Sequence, residues 1–424
     1  MKVLFVVPCF PEKIKEYLVL PSMELCIMSS VLKQAGHEVQ LLDMQINDYP
    51  ITQVDELLQA YSPDIVCIED MAQIHCSSKL VIAAARRVYG EAVPICIRGE
   101  IPSFIPDTLL KRNPALDYVL RYETDYSLLR IINALLGRDE ISAIPNIAYR
   151  NGSKIVLTGT PSNSTDLIAL PKADRRLYDV EKYLQRDSET IAKSSRGCAG
   201  RCVFCVKTKY EPFGLFPMSR FCDELLELQN YGFKTFFFSD NVFASNMKRL
   251  YEFRDELNKR NMKVKWTSNI RIKDITEEKI ALMKELGAYR VFIGIETIND
   301  DSSKLINKNL SEQEIREKLG ILKKYNVEFH ASFILGNPGD TEADLEKTVE
   351  FIKDVKPTLV TFNLLKVFPG LPIYERPEDF GIVMEDPYWY EKDEWTYKVV
   401  MGTHDLPPER LEYWSRRMLF EFMT

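Results

Sequence analysis

The segment ETIAKSSRGCAGRCVFC, residues 189–205, carries three of the nine cysteines of the chain in one short loop. Cys198, Cys202 and Cys205 have the spacing C-x3-C-x2-C and follow an apolar run of strand length. A structural zinc site closes with four ligands, and no second cysteine pair follows this loop. Three thiolates suit an iron–sulfur cluster with one iron left open, because cysteine thiolates ligate such clusters and a catalytic metal site keeps an open position. The loop is therefore predicted to hold a cluster that binds a further ligand.

The sequence around this loop repeats a strand followed by a helix. Six such repeats run from about residue 189 to 370, which is too few for a closed eight-fold barrel and predicts an open, partial (β/α)6 barrel. In β/α barrels the reactive groups lie at the carboxyl ends of the strands. Asp240, Arg271 and Glu296 each end such a strand, so we expect them to meet the cysteine loop at this rim.

The first half of the chain also alternates short apolar strands with amphipathic helices, which predicts an α/β fold with a doubly wound, Rossmann-like parallel sheet. A hairpin and a polar linker are predicted between the two halves, and helices after the barrel. The predicted domains are a Rossmann-like domain at 1–140, the hairpin and linker at 141–185, the partial barrel at 186–372 and a C-terminal helical extension at 373–424.

The composition of the chain argues against several classes of protein. Its net charge of −7 does not suit a protein that coats nucleic acid, because binding to phosphates needs a basic surface. No stretch approaches the ~20 apolar residues of a membrane-spanning helix, and the amino-terminal apolar run lacks the small-residue site of a signal peptide. Nine cysteines in 424 residues do not suggest a disulfide framework. These features predict a cytoplasmic protein without nucleic-acid or membrane partners.

The cysteine loop resembles that of the radical S-adenosylmethionine (SAM) enzymes, in which an aromatic residue, here Phe204, precedes the last cysteine. The resemblance implies that the three cysteines hold a 4Fe-4S cluster whose open iron binds the amino and carboxylate groups of SAM. Reductive cleavage of SAM then yields a 5′-deoxyadenosyl radical, which removes hydrogen from an unactivated carbon. The resemblance also implies an external electron donor of the flavodoxin or ferredoxin type.

Further segments are similar to the subgroup whose barrel follows a cobalamin-binding (B12-binding) domain: GIETIN at 294–299, GNPGDT at 336–341, FPGLPIYE at 368–375 and LPKADRRLYD at 170–179. With the first domain included, the resemblance covers almost the whole chain.

The resemblance also implies a set of SAM contacts beside the cluster and at the ends of the next three strands. These are Phe204, Ser239, Asp240, Asn269, Arg271 and Glu296. A salt bridge across the rim is the alternative role for Asp240 and Arg271. His330 is a candidate substrate contact, and a plain core histidine is the alternative.

The first domain departs from the subgroup at its glycines. Related sequences have glycine where this chain has Glu24, Arg98 and Tyr122, and side chains there are expected to crowd the nucleotide tail of a corrinoid. Glu24 and Arg98 are candidates to pair with each other, which would fill the site. Met71 and Gly99 belong to the same candidate cobalamin loops.

Three functions remain open at this point. Cobalamin-dependent C-methylation of an unactivated carbon in a small molecule or peptide is favoured, because the order and lengths of the segments are those of the subgroup. The second function is a radical dehydration, epimerisation or rearrangement, with a first domain that has lost cobalamin. The third is a non-enzymatic scaffold or iron–sulfur sensor, against which the intact GIE segment and the cysteine loop argue.

Overall fold

The computed structural model of the protein describes residues 1–11, 19–159, 165–206, 212–243, 245–391 and 398–422. These residues divide into two compact units. The first is Met1–Thr190 together with residues 212–214, and the second contains the other described residues from Ile191 onward. Part of the predicted linker, residues 160–164, lies outside the described residues.

A seven-stranded sheet forms the centre of the first unit. Its strands are β1 (Lys2–Val7), β2 (Glu38–Asp43), β3 (Ile65–Asp70), β4 (Ile95–Gly99), β5 (Tyr118–Leu120), β6 (Ile147–Asn151) and β7 (Lys154–Leu157). The helices are α1 (Met23–Gln34), α2 (Val54–Gln59), α3 (His75–Tyr89), α4 (Glu100–Phe104), α5 (Pro106–Arg112), α6 (Ser127–Leu135) and α7 (Val180–Arg186).

The strand order of this sheet is β2-β1-β3-β4-β5-β6-β7. The first five of these strands pair in parallel, whereas β6 and β7 are antiparallel. Strands β3 and β4 are buried along their whole length, as expected for a parallel sheet covered on both faces. The predicted Rossmann-like sheet is thus confirmed, and the hairpin β6–β7 extends its edge.

A six-stranded sheet forms the centre of the second unit, with the order β15-β14-β13-β12-β11-β8. The strands are β8 (Glu189–Ala192), β9 (Ser195–Arg196), β10 (Gly214–Leu215), β11 (Thr235–Phe238), β12 (Lys265–Asn269), β13 (Ala288–Glu296), β14 (Glu328–Leu335), β15 (Leu359–Leu364), β16 (Ile382–Val383) and β17 (Gly402–Thr403). The helices are α8 (Met218–Tyr231), α9 (Met247–Lys259), α10 (Glu277–Glu285), α11 (Asp300–Leu305), α12 (Glu312–Lys324), α13 (Glu342–Val355), α14 (Pro372–Glu375) and α15 (Pro408–Phe422). Strands β11 to β15 pair in parallel, so the predicted partial barrel is confirmed.

Burial alternates along the central strands of this barrel. On β13, Ile293 and Ile295 are buried against the helices, whereas Phe292, Gly294 and Glu296 are only half buried. The same period of two runs along β14, because successive side chains of a strand point to opposite faces. The half-buried face of these strands is the interior of the barrel.

The carboxyl-terminal helix α15 packs on the barrel, as its amphipathic sequence predicts. Leu411, Trp414 and Met418 form one buried apolar cluster with Leu335 of β14 and Leu345 of α13. Among the described residues, no helix combines the length and the apolar character needed to cross a bilayer.

Candidate active site

The three cysteines of the loop line one cavity within the second unit. The cavity has a volume of about 640 Å³, and Cys198, Cys202 and Cys205 contribute to its wall together with Phe204. All three thiols are partly exposed. The N–H of Gly200 donates to Cys198 Sγ at 3.2 Å, so the backbone of the loop already turns toward the sulfur. The structure therefore brings the predicted ligands together.

The donor set fits an iron–sulfur cluster better than a single metal ion. Among the residues that the structure describes, no three His, Cys, Asp or Glu side chains converge where one ion could be held. A cluster makes no such demand, because each cysteine ligates a different iron. Burial raises the pKa of the Cys202 thiol, and the nearby ammonium of Lys308 opposes this shift. Three thiols around one cavity, with a cation beside them, suit a 4Fe-4S cluster.

Two buried charged side chains hold the base of the cysteine loop. Asp240 accepts hydrogen bonds from the Ser194 N–H at 3.2 Å, the Ser194 hydroxyl at 3.0 Å and the Ser195 hydroxyl. Arg249 of α9 donates to the carbonyls of Ser194 and Phe216. Burial raises the pKa of Asp240, and its hydrogen bonds oppose this shift. Asp240 is fully buried and lies beneath the loop instead of on the cavity wall, so its direct contact with SAM is not supported by this placement.

Glu296 ends β13 in a left-handed backbone conformation, with φ at 70°. Such a conformation is uncommon for residues other than glycine, and strained residues concentrate at functional sites. The amide of Asn337 donates to the Glu296 carbonyl at 3.0 Å. A Cβ atom at Gly294 would lie only 2.2 Å from Glu296 Oε1, so a larger residue at 294 would displace the carboxylate from its present position.

Lys308 is the cation that faces Glu296 in the cavity. Its Nζ lies 3.3 Å from Glu296 Oε1 and donates to the Gly294 carbonyl at 2.7 Å. Burial raises the pKa of Glu296, and Lys308 opposes this shift. Sequence reasoning missed both Lys308 and Asn337. The sequence offered one indication of Lys308: it follows α11 closely, at a point where the chain comes back toward the carboxyl ends of the strands.

The GNPGDT turn contains the buried carboxyl group of Asp340, which predicts that the stability of the protein depends on pH. Burial raises the pKa of Asp340 to about 6 from 3.8, against hydrogen bonds from Thr297 and Asn337. Its contribution is therefore fully present below pH 3.8 and lost as the pH rises through 6. The contribution of Asp340 to the free energy of unfolding should fall by about 3 kcal/mol across this window, and Asp340→Asn should remove that part of the pH dependence. Urea unfolding of the two proteins between pH 4 and 7 measures the difference. Asp301→Asn, at an exposed residue of α11, is the control for the substitution itself.

The ends of β11 and β12 hold the other predicted SAM contacts. Asn269 and Arg271 line the cavity, whereas Ser239 is absent from its described lining. Asn269 donates to the Asp240 carbonyl at 2.9 Å. Arg271 pairs with Asp274 through contacts of 2.7 and 3.0 Å, whereas Asp240 is held by Ser194 and Ser195.

His330 lies on the interior face of β14 and lines the same cavity. Its Nε2 is 3.2 Å from Thr361 Oγ1, and its ring centroid is 5.0 Å from that of Phe292. Burial lowers the pKa of His330, and the charge of Arg290 lowers it further. His330 is therefore a neutral side chain on the cavity wall at pH 7.

In the first unit, Arg98 of β4 forms an ion pair with Glu69 of the neighbouring strand β3. Its guanidinium contacts Glu69 Oε1 and donates from Nε to Thr124 Oγ1 at 3.0 Å. Ser22, the N-cap of α1, donates to the other Glu69 oxygen at 3.2 Å. Burial raises the pKa of Glu69, Arg98 lowers it, and the negative charge of Glu24 raises it. The side chain of Arg98 therefore lies in the packed layer between the sheet and α1.

Met71, Gly99 and Tyr122 lie at the carboxyl ends of β3, β4 and β5. A Cβ atom at Gly99 would lie 1.8 Å from the Asp70 carbonyl oxygen, so only glycine fits. Tyr122 has φ of 56°, which is the left-handed region that glycine adopts most easily. The backbone here thus keeps the conformation that the glycine of related sequences favours.

The side chain of Arg98 does not fill this edge of the sheet, where the B12-binding domain is expected to hold a corrinoid. The substituted side chain of Arg98 is directed into the core, so the predicted crowding of the edge by this side chain is not observed. His75 is buried, and its Nδ1 lies 2.8 Å from Asp70 Oδ2. This histidine is thus held inside the unit by Asp70.

The placement of Arg98 predicts how the unit responds to its removal. Arg98→Gly should lower the free energy of unfolding by about 3 kcal/mol, because Glu69 is left buried without its cation. It should not improve the retention of a corrinoid. Chemical denaturation and corrinoid absorbance after desalting measure the two effects. The exposed pair of Arg87 and Asp55 provides the control. Arg87→Gly removes an exposed ion pair that contributes less than about 1 kcal/mol to stability. Its other cost is the low helix propensity of glycine, also about 1 kcal/mol.

Comparison with known families gives two matches within the chain. Residues 193–352 match the model of the radical SAM superfamily, and residues 14–132 match that of the B12 binding domain. An uncharacterized methyltransferase of Pyrococcus horikoshii is 26% identical over 388 residues, covering 88% of this chain and 83% of the relative. The anaerobic magnesium-protoporphyrin IX monomethyl ester cyclase of Rubrivivax gelatinosus is 25% identical over 373 residues, covering 85% and 66%.

Solved structures show the same fold over nearly the whole chain. The radical SAM methyltransferase TsrM from Kitasatospora setae, with tryptophan substrate and a SAM analogue bound, has a TM-score of 0.80 at 16% identity, covering 99% of this chain and 89% of TsrM. TsrM with cobalamin and a 4Fe-4S cluster bound has a TM-score of 0.76 at 17% identity, covering 97% and 84%. The chain is a member of the radical SAM superfamily in which a B12-binding domain precedes the radical SAM domain.

Proposed function

We propose that this protein is a cobalamin-dependent radical SAM methyltransferase that acts on an unactivated carbon of a small molecule or peptide. The observation that carries the proposal is the single cavity shared by the three cysteines and the pair of Glu296 and Lys308, in a chain that also has a B12-binding domain. When bound, the cluster supplies the electron that cleaves SAM, and cobalamin carries the methyl group.

The residues of this chain would bind and orient SAM at the open iron. Cys198, Cys202 and Cys205 hold three of the four irons and leave one free for the amino and carboxylate groups of SAM. Glu296 accepts hydrogen bonds from the amino group or the ribose hydroxyls. Lys308 neutralises Glu296 and offers its ammonium to the carboxylate of SAM.

The second candidate function is a radical reaction without methyl transfer. It is favoured by the similarity to the magnesium-protoporphyrin cyclase of Rubrivivax gelatinosus, whose name describes ring formation. In both functions a reductant of the flavodoxin or ferredoxin class delivers the electron, and the SAM site is the same. The fate of the methyl group of SAM therefore separates them.

The test uses anaerobically reconstituted full-length protein supplied with hydroxocobalamin. Corrinoid absorbance that remains after desalting, together with label transferred to the corrinoid from methyl-labelled SAM, supports the methyltransferase. A spectrum of the iron–sulfur cluster alone, with SAM still cleaved to 5′-deoxyadenosine, contradicts methyl transfer and supports the second function.

A further inference from the structure

The wall of the cavity separates charged from uncharged side chains. Within the described part of the chain, its charged residues lie at the strand ends near the cluster loop: Arg201, Arg271, Lys273, Glu296 and Lys308. Deeper in the barrel the wall is formed by four uncharged side chains that we call the barrel floor: Phe292, His330, Ser332 and Thr361.

Strand register places the barrel floor below Glu296. Phe292 precedes Glu296 by four residues on β13, which is roughly 13 Å along the strand. Phe292 is the register partner of His330, and Ser332 is that of Thr361. The floor is therefore a continuous surface across three neighbouring strands, from the level of Phe292 and His330 up to that of Gly294.

The hydrogen bonds of the floor leave hydroxyl groups able to donate to a ligand. Ser332 Oγ accepts a hydrogen bond from Asn363 at 3.0 Å, and its own O–H has no acceptor among the described residues. Thr361 shares one hydrogen bond with His330. Beneath the floor Arg290 is paired with Glu328 at 2.6 Å. Burial and the charge of Arg290 both lower the pKa of His330, which keeps that ring neutral. The floor thus offers hydroxyl donors and an aromatic face but no charge.

These properties select an uncharged group with an oxygen acceptor. A carboxylate placed here would lose its hydration without meeting a cation, and an ammonium would find no carboxylate. A carbonyl or hydroxyl oxygen accepts from Ser332, and also from Thr361 in the histidine tautomer whose Nε2–H donates to Thr361 Oγ1, while the adjoining carbon packs on Phe292. Taking the proposed function as given, we propose that the barrel floor binds an amide, ester, ketone or alcohol group of the substrate, close to the reacting carbon.

Three planar probes of nearly equal shape test this inference: benzamide, benzoate and benzamidine, which are neutral, anionic and cationic. Equilibrium dialysis with the SAM-loaded, cluster-containing protein should show that benzamide binds at least fivefold more tightly than either charged probe. Ser332→Ala and the isosteric Thr361→Val should each weaken benzamide binding about fivefold, the loss of one hydrogen bond. Thr348→Val on α13, outside the cavity, is the matched control and should leave binding unchanged.

Tighter binding of benzoate or benzamidine, no binding of benzamide, or full benzamide binding in both floor variants would overturn the inference. Cleavage of SAM to 5′-deoxyadenosine by the same preparation distinguishes the two proposals. If SAM is cleaved but the probes do not discriminate, only the assignment of the floor fails. If SAM is not cleaved, the proposed function itself fails.

Discussion

Replacement of Cys198, Cys202 or Cys205 by alanine is expected to abolish both cluster assembly and SAM cleavage. Each thiolate ligates one iron, so a loop with two thiolates cannot hold the cube with a single open iron. Iron content should fall from about four per chain toward zero. The yield of 5′-deoxyadenosine should drop at least ~100-fold, since no other reductive route to the radical remains. Iron and sulfide analysis and product quantification measure these effects.

Cys76 provides the matched control for these variants. It is partly exposed, like the three ligands, but it belongs to α3 in the first unit. Cys76→Ala should therefore keep the full iron content and the full rate of SAM cleavage. A loop variant that also kept both would refute the assignment of the cluster to this loop.

Lys308→Met is expected to lower the affinity for SAM about 100-fold, equivalent to about 2.7 kcal/mol. Methionine keeps a long unbranched side chain but removes the ammonium that lies 3.3 Å from Glu296 Oε1. The half-buried carboxylate then takes up a proton more readily, and the carboxylate of SAM loses its cation. Isothermal titration with SAM measures the affinity, and urea unfolding separates this effect from a loss of stability.

Lys304→Met, on the neighbouring helix α11, is the control. Lys304 is exposed and pairs with exposed Asp301 at 2.8 Å, a kind of ion pair worth less than about 1 kcal/mol. The double variant Lys308→Met/Glu296→Gln should recover the stability, because no unpaired carboxylate remains, yet still bind SAM poorly. Recovery of SAM binding in the double variant would show that the pair is only structural.

The sequence allowed the fold and the cysteine ligands to be predicted because both depend on local patterns. Strand and helix periods predict the two sheets, and the spacing of Cys198, Cys202 and Cys205 is itself the motif. The direction of a polar side chain at a strand end depends on partners distant in sequence. Asp240 was therefore expected on the cavity wall, whereas the hydroxyls of Ser194 and Ser195 draw it beneath the loop.

In the first unit, too, the sequence did not predict the direction of a polar side chain at a strand end. Arg98 in place of a glycine suggested a crowded edge, but Glu69 on the neighbouring strand takes its guanidinium into the core. Lys308 was missed because it reaches Glu296 only after the chain passes through α11. Sequence patterns thus identified which strand ends matter, and tertiary partners decide which side chains reach the cavity.

The formation of 5′-deoxyadenosine from SAM by the reconstituted, dithionite-reduced protein tests the central claim most directly. The shared cavity of the cysteine loop, Glu296 and Lys308 predicts that 5′-deoxyadenosine and methionine appear together, and that both are lost in the cysteine variants. A protein that holds about four irons per chain and is reduced, yet leaves SAM intact, would contradict the account.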